Sequence, residues 1–331
     1  MKKLFYFLMV CGIVVLPACE TDFDVNDEWT ETTIVYGLLN QNDANHYIKV
    51  NKAFLGEGNA LEMAAVYDSI SYAKQIEVYV QEWLNGNLKK TLVFSRDSSM
   101  SKDPGIFSYP FQVVYKNSEA LDPAVEYRLI VKNTETGKTV TGTTSLVQNV
   151  TITQPTSSVG QLVNWVAATN KYSVKWTTGT NGKLYQLRIG FHYTETLKVS
   201  PYTVTDQYVE WVQPATESLG ITGGENMQVD LPGDNFYQFL ASHLEENTDV
   251  DRKADGIDFI IDVAGDEFNT YMAVNKPSTG IIQEKPEYTN LENGIGLFSC
   301  RYSKGVYDKQ MTLTSLDSLR DGRFTKHLGF L

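Results

Sequence analysis

Hydrophobic and polar residues alternate with a period of two along much of the chain. In residues 76–84, Ile76, Val78 and Val80 lie on one face, and residues 85–87 then turn the chain. Such alternation is typical of half-buried β-strands joined by tight turns. Residues 32–39, 46–55, 88–94, 106–115, 125–131 and 138–144 are further strand candidates. Short strands at this spacing predict a mainly β fold built from antiparallel sandwiches.

A break in this pattern divides the chain. Residues 154–160 read QPTSSVG, a Pro/Ser/Gly-rich stretch of the kind that separates structural units. A length of 331 residues is also typical of two domains that each bury a core. We therefore expect an N-terminal β-sandwich domain over residues 32–149 and a second domain over residues 150–331.

The second domain again begins with strands. Residues 171–177 place Tyr172, Val174 and Trp176 in alternation, and residues 184–193 form a Tyr-containing strand after a turn. A strand with a buried Trp before such a strand resembles a fibronectin type III sandwich. The expected fold is therefore two immunoglobulin- or fibronectin-III-like sandwiches, with one or two short helices in the second.

Apolar residues at helical spacing predict the helices. Residues 59–67 indicate one short helix in the first domain, and residues 230–244 begin with a proline in the first turn and continue with an apolar stripe. Leucines near residues 313–319 suggest a terminal helix. Residues 256–264 and 268–274 are expected to form a β-hairpin.

The N-terminus predicts export. Two lysines precede residues 4–16, an uncharged run too short to span a membrane but suited to a signal-peptide core. The run ends in Leu16-Pro17-Ala18-Cys19, which resembles the lipobox of bacterial lipoproteins. That resemblance implies a signal peptide over residues 1–18, lipid attached to Cys19, and a tether over residues 19–31. An ordinary secretory signal is the alternative.

Charge excludes one class of partner. The chain carries a net charge of −12 at pH 7. Nucleic-acid binding depends on clustered Lys and Arg that neutralise phosphates, so we expect no nucleic-acid partner. Attachment to the outer membrane is instead expected through the lipid on Cys19.

Catalytic motifs are missing from the sequence. The four histidines show no His-Glu-x-x-His pattern, and there is no Gly-x-Ser-x-Gly elbow or P-loop. Residues 247–258 place oxygen ligands at the spacing of a calcium loop, but Arg252 stands where that loop needs glycine, so a solvated loop is favoured. Cys300 lies in an apolar strand pattern that favours burial. We expect no enzyme activity, no cofactor and no metal.

Tryptophans are the remaining candidates for contacts, because exposed Trp side chains anchor ligands and partners. Trp83 and Trp176 fit core strands. Trp165, next to the boundary segment, and Trp211, in residues 208–212, are the candidate contact residues.

Several segments together carry a family resemblance. They are the lipobox, residues 35–40 (VYGLLN), 53–60 (AFLGEGNA), 255–259 (DGIDF) and 288–298 (YTNLENGIGLF). The chain resembles a family of Bacteroidota lipoproteins with a domain of unknown function, whose genes often lie beside TonB-dependent receptors. Residues 290–298 are the most specific part of this resemblance. Acidic residues after Cys19 also resemble the surface-export signal of such lipoproteins.

The resemblance implies a role without catalysis. The expected function is that of an accessory subunit that captures a ligand or partner for an outer-membrane, TonB-dependent transporter, with the ligand unknown. A structural or adhesive surface lipoprotein is the alternative. The expected location is the outer membrane, facing the cell surface or alternatively the periplasm.

Overall fold

The computed structural model describes residues 32–53, 59–166, 171–277 and 287–331. The predicted signal peptide, Cys19 and the tether lie outside these residues, as does most of the 53–60 motif. Strands take up 48% of the structure and helices 14%, which confirms the mainly β prediction. None of the helices in the described ranges is long and apolar enough to cross a membrane.

Sixteen strands and five helices are found in the described ranges. The strands are β1 Thr33–Leu39, β2 His46–Lys52, β3 Ile76–Leu84, β4 Asn87–Asp97, β5 Val114–Asn117, β6 Glu126–Asn133, β7 Thr139–Ser145, β8 Thr151–Gln154, β9 Lys171–Thr177, β10 Leu184–Leu197, β11 Val204–Val212, β12 Thr216–Glu217, β13 Asn226–Pro232, β14 Val250–Ala264, β15 Leu291–Glu292 and β16 Ile295–Lys309. The helices are α1 Ala60–Ala64, α2 Tyr67–Ile70, α3 Gly233–His243, α4 Asp266–Asn275 and α5 Leu313–Asp321.

The larger sheet runs through both halves of the chain. Its strand order is β11-β10-β14-β16-β1-β2-β5-β4-β3-β6-β7-β15, with β12 also paired to β10. In the first half this sheet folds back on itself, because β15 pairs with β7 and the Cys300 Sγ on β16 donates to the Ser145 carbonyl at 3.2 Å. Val78, Leu92 and Phe298 are buried between the facing strands.

In the second half, two layers face each other. The three-stranded sheet β13-β9-β8 packs on β10 and β14 through aromatic side chains. Trp176 on β9 lies 6.3 Å from Tyr185 on β10, and Tyr172 lies 5.6 Å from Phe259, measured between ring centroids. Trp176 is therefore a core residue, as its strand pattern predicts.

Strand β16 connects the two halves. Residues 295–300 pair in parallel with β1, whereas residues 301–309 pair antiparallel with β14. The sequence led us to expect antiparallel pairing throughout, and the parallel pairing of β1 with β16 differs from that expectation. The division at residue 150 stays a prediction, but the strands of residues 291–300 pair with those of the first half.

The motif over residues 290–298 builds this connection. The Asn290 amide donates to the Phe298 carbonyl at 2.6 Å, and the Phe298 N–H donates to Asn290 Oδ1 at 2.9 Å. Gly296 has φ +124°, a conformation that side chains other than glycine rarely adopt. Its backbone also lies against β1, where a Cβ atom would approach the Val35 carbonyl oxygen to 2.0 Å.

We predict that Gly296→Ala lowers the free energy of unfolding by more than about 1 kcal/mol, since both the backbone conformation and the contact with Val35 resist a side chain. Denaturant unfolding followed by circular dichroism measures this. Gly220→Ala is the control, because no atom lies within 4 Å of its added Cβ. We expect a change within about 0.5 kcal/mol there, and equal losses in both variants would contradict the prediction.

Three helices lie in residues 150–331, one more than expected. The prediction that residues 268–274 form a strand is wrong, because they belong to α4. Gly265 is the extended N-cap residue, and Asp266 and Glu267 follow in the first turn, where carboxylates favour a helix start. Helix α3, by contrast, follows its predicted stripe, with Phe236, Tyr237 and Leu240 buried.

Candidate functional site

The two tryptophans proposed as contact residues lie in different environments. The expectation that Trp165 is exposed is wrong: its side chain is 0% exposed and stacks on Phe236 with ring centroids 4.1 Å apart. Sequence position suggested a linker, but tertiary packing places Trp165 in the core. Trp211 is partly buried and stacks on Phe239 at 5.6 Å. The structure therefore does not bring the two side chains together at a surface site.

Cys300 is buried, as predicted. Its side chain is 0% exposed, and burial raises the pKa of the thiol to about 12. A thiol in this state is protonated at neutral pH and is a poor nucleophile. Residues 250–258 lie in the extended strand β14, so the solvated loop favoured over residues 247–258 is wrong beyond residue 249, and a calcium loop does not form there. In the described ranges, no three His, Cys, Asp or Glu side chains are grouped as metal ligands.

A cleft of about 590 Å³, lined by both charged and apolar side chains, lies between α4 and the outer face of β10, β14 and β16. Its charges are largely matched within the protein. Arg188 pairs with Asp262, and its Nη1 donates to Glu210 at 2.6 Å. Ser303 donates to Asp262 Oδ1 at 2.6 Å. These contacts link neighbouring strands, so the charged residues of the cleft are explained by their role in holding the sheet together.

A second cavity, on the first half of the chain, has a different character. It measures about 760 Å³, a size typical of small-molecule sites. Its walls are mainly apolar, and three lysines stand among them. We call it the lysine-edged groove. Its three lysines are Lys49, Lys52 and Lys102, and its larger apolar or aromatic wall residues are Ile34, Tyr36, Leu61, Ile70, Ile106 and Phe107.

Alternation in β1 and β2 forms the floor of the groove. Val35 and Val50 point into the core, so Ile34, Tyr36 and Lys49 project from the opposite face. Tyr36 stands directly across from Lys49 in the antiparallel register. Burial, and next a hydrogen bond with Tyr271, raises the pKa of the Tyr36 hydroxyl to about 12.

Two short helices and one loop cover this floor. The Asn59 side chain caps α1 by accepting from the Leu61 N–H at 2.9 Å, and the Asn51 amide attaches α2 by donating to the Ile70 carbonyl at 2.8 Å. The strand predicted over residues 106–115 is wrong except at its end, because β5 begins only at Val114 and residues 98–113 form a loop. The Ser108 N–H of this loop donates to the Ala64 carbonyl of α1 at 2.9 Å. The Asn51 bond therefore attaches α2 to the floor, and the Ser108 bond joins the loop to α1.

Large apolar side chains remain open to solvent at the groove. Leu61 is 60% exposed, Ile106 61% and Phe107 51%. Single exposed apolar residues are ordinary, but clustered ones mark binding surfaces. Two sequence signals could have revealed this site. Residues 33–39 are apolar on both faces, which indicates a strand covered on both sides, and residues 106–111 concentrate apolar side chains in a Pro/Gly loop.

Comparisons with known proteins leave the function open. No protein-family model and no curated protein matches the chain. A solved structure, the C-terminal globular domain of oligosaccharyltransferase from Pyrococcus abyssi, is similar to 70% of this chain at 12% identity, with a TM-score of 0.25. The match spans 46% of that chain's own length.

Proposed function

We propose that this protein is a non-catalytic binding protein that captures an apolar ligand in the lysine-edged groove. The observation that carries the proposal is the cavity itself: about 760 Å³, walled by apolar side chains and flanked by exposed Leu61, Ile106 and Phe107. Exposing these side chains to water is unfavourable, and a ligand that covers them gains about 25 cal/mol per Å² of apolar area. The bonds that attach α2 to β2 and join the loop to α1 reduce the ordering that binding requires.

The proposed setting is the outer membrane. We infer that Cys19 carries the lipid anchor, that the protein faces the cell surface, and that it delivers its ligand to a TonB-dependent receptor. The Leu-Pro-Ala-Cys lipobox and the resemblance of residues 290–298 to Bacteroidota lipoproteins support this setting. A lipid-anchored chain can attach to a membrane without the basic patch that its acidic composition lacks.

A neutral fluorescent probe tests the groove. We expect phenylnaphthylamine to bind the native protein saturably, with one site per chain. The double variant Leu61→Ser, Phe107→Ser removes two apolar side chains from the groove. The partial burial of each by the probe contributes about 1 kcal/mol to the binding free energy, so we expect affinity to fall by about tenfold or more. A fluorescence titration measures both dissociation constants.

Leu219→Ser is the matched control, since Leu219 is 92% exposed and lies outside the groove. It should leave probe affinity unchanged, and circular dichroism should show the same fold in all variants. The groove proposal fails if the native protein shows no saturable binding, or if the control variant loses affinity as much as the double variant.

A pull-down tests the setting. The intact chain, with its Cys19 anchor, is recovered from detergent-solubilised membranes of its source cells. Enrichment of a TonB-dependent receptor is the expected result. Recovery of self-polymers alone would instead favour the adhesive alternative and would contradict the transporter role.

A further inference from the structure

The charge at the groove is unusual for this protein. Acidic residues outnumber basic ones in the chain, which carries 40 Asp and Glu against 28 Lys and Arg. Yet Lys49, Lys52 and Lys102 all line the groove, and no Asp or Glu is among its described lining residues. A local excess of positive charge beside apolar walls calls for an explanation, because like charges repel and apolar surroundings strengthen that repulsion.

Two of these lysines have neutral partners. The Lys49 Nζ donates to Gln112 Oε1 at 2.9 Å, and the Lys102 Nζ donates to the Ser108 carbonyl at 3.2 Å. Neither ammonium group forms an ion pair with a carboxylate within the part of the chain that the structure describes. The hydrogen bonds position the two side chains, and among the described residues no carboxylate pairs with either ammonium group.

The cost of placing positive charges close together beside apolar side chains is evident at Lys49. Burial, and next the positive charge of Lys102, lower the pKa of the Lys49 ammonium group. Both effects oppose the charged form. An anion placed beside the two lysines would reverse the second effect and compensate the first, so the unbound groove is set up to gain from one.

Resting on the proposed function, we propose that the ligand of the lysine-edged groove is an amphipathic anion. Its apolar body lies against Ile34, Leu61 and Phe107, and its anionic head group, a carboxylate or a phosphate monoester, binds the Lys49 and Lys102 ammonium groups. Lys102 also lies over the Phe107 ring, 5.4 Å from its centroid, so the charged and apolar parts of the site adjoin each other.

A series of probes that share one ten-carbon alkyl group and differ in their head groups tests this assignment. Decanoate, decyl phosphate, decanol and decylamine each compete with phenylnaphthylamine at neutral pH and below their micellar concentrations. We expect decanoate, decyl phosphate or both to bind about tenfold tighter than decanol, as charge-assisted hydrogen bonds add to the same apolar contact. Decylamine should bind most weakly, because its charge is repelled.

Matched variants identify the residues. In Lys49→Gln, Lys102→Gln, we expect the preference for the anion over decanol to fall to less than about threefold, while decanol binds as before. Lys132→Gln removes one positive charge at an exposed site outside the groove and should preserve the preference. Added salt should weaken decanoate or decyl phosphate and leave decanol unaffected.

The outcomes separate the two proposals. If decanol binds as tightly as both anions, the anionic assignment is wrong while the apolar groove stands. If none of the four probes displaces phenylnaphthylamine, the proposed function itself fails. If an anion is preferred but the double lysine variant keeps that preference, Lys49 and Lys102 are not its binding residues, and the assignment is overturned. A larger advantage for decyl phosphate than for decanoate would identify the head group as phosphate.

Discussion

Replacing Trp165 by alanine is expected to lower the free energy of unfolding by about 3–5 kcal/mol. The side chain is 0% exposed and belongs to an aromatic cluster, with Phe236 at 4.1 Å, Tyr172 at 5.8 Å and Phe259 at 6.1 Å between ring centroids. Removing it leaves a cavity that neighbouring side chains, held by three different elements, can only partly fill. Guanidinium unfolding followed by circular dichroism gives the difference.

Trp211→Ala is the matched control, because it removes the same side chain from a partly buried position that stacks mainly on Phe239. We expect a loss of about 1–2 kcal/mol there. The buried Trp165 must therefore be the more costly substitution by a clear margin. Equal losses, or a larger loss at Trp211, would contradict the placement of Trp165 at the centre of the core.

Replacing Arg252 by alanine is expected to cost about 3–5 kcal/mol, since it breaks a buried ion pair and leaves the partner charge behind. Arg252 is 4% exposed, and its Nε donates to Glu195 Oε1 at 2.8 Å. Its Nη1 donates to the Leu328 carbonyl at 2.8 Å, which attaches the C-terminal segment to β14. Loss of this bond should also make residues 328–331 accessible to carboxypeptidase.

Two comparisons make this result specific. Arg320→Ala removes an arginine from an exposed pair with Asp317, and we expect it to leave the denaturant midpoint of unfolding nearly unchanged, because solvent screens exposed pairs. The double variant Arg252→Met, Glu195→Gln removes both charges and should be more stable than Arg252→Ala, because no unpaired charge remains. If Arg252→Ala unfolds at the same denaturant concentration as Arg320→Ala, the buried pair contributes no more than a surface pair.

The attached C-terminal segment bears on the adhesive alternative. Leu328 is 0% exposed and Phe330 5%, and the Leu331 N–H donates to the Arg252 carbonyl at 2.9 Å. Donor-strand exchange between copies needs a segment that is free to complete a neighbour. Here the apolar segment packs on its own chain, so it would first have to leave a buried position.

Much of the fold could be predicted because alternation is a local property. A strand with one buried face shows it in the sequence whatever it packs against, and β3, β6, β9 and β10 all lie where their patterns place them. Helix α4 was missed because its apolar residues show little helical periodicity, while the start signal at Gly265 and Asp266 is only a short cue. Because the local pattern is weak, it is compatible with either a strand or a helix over residues 268–274.

Residue types and short-range spacing were enough to predict the mainly β class, the amphipathic helix α3, the burial of Cys300 and Trp176, and the scarcity of catalytic motifs, because each is a local property of the chain. Long-range packing sets the rest: β16 pairs with strands of both halves, Trp165 is buried, and three lysines line one apolar cavity. Lys49 and Lys102 lie on separate elements, and no local pattern records which residues the packing of those elements brings together.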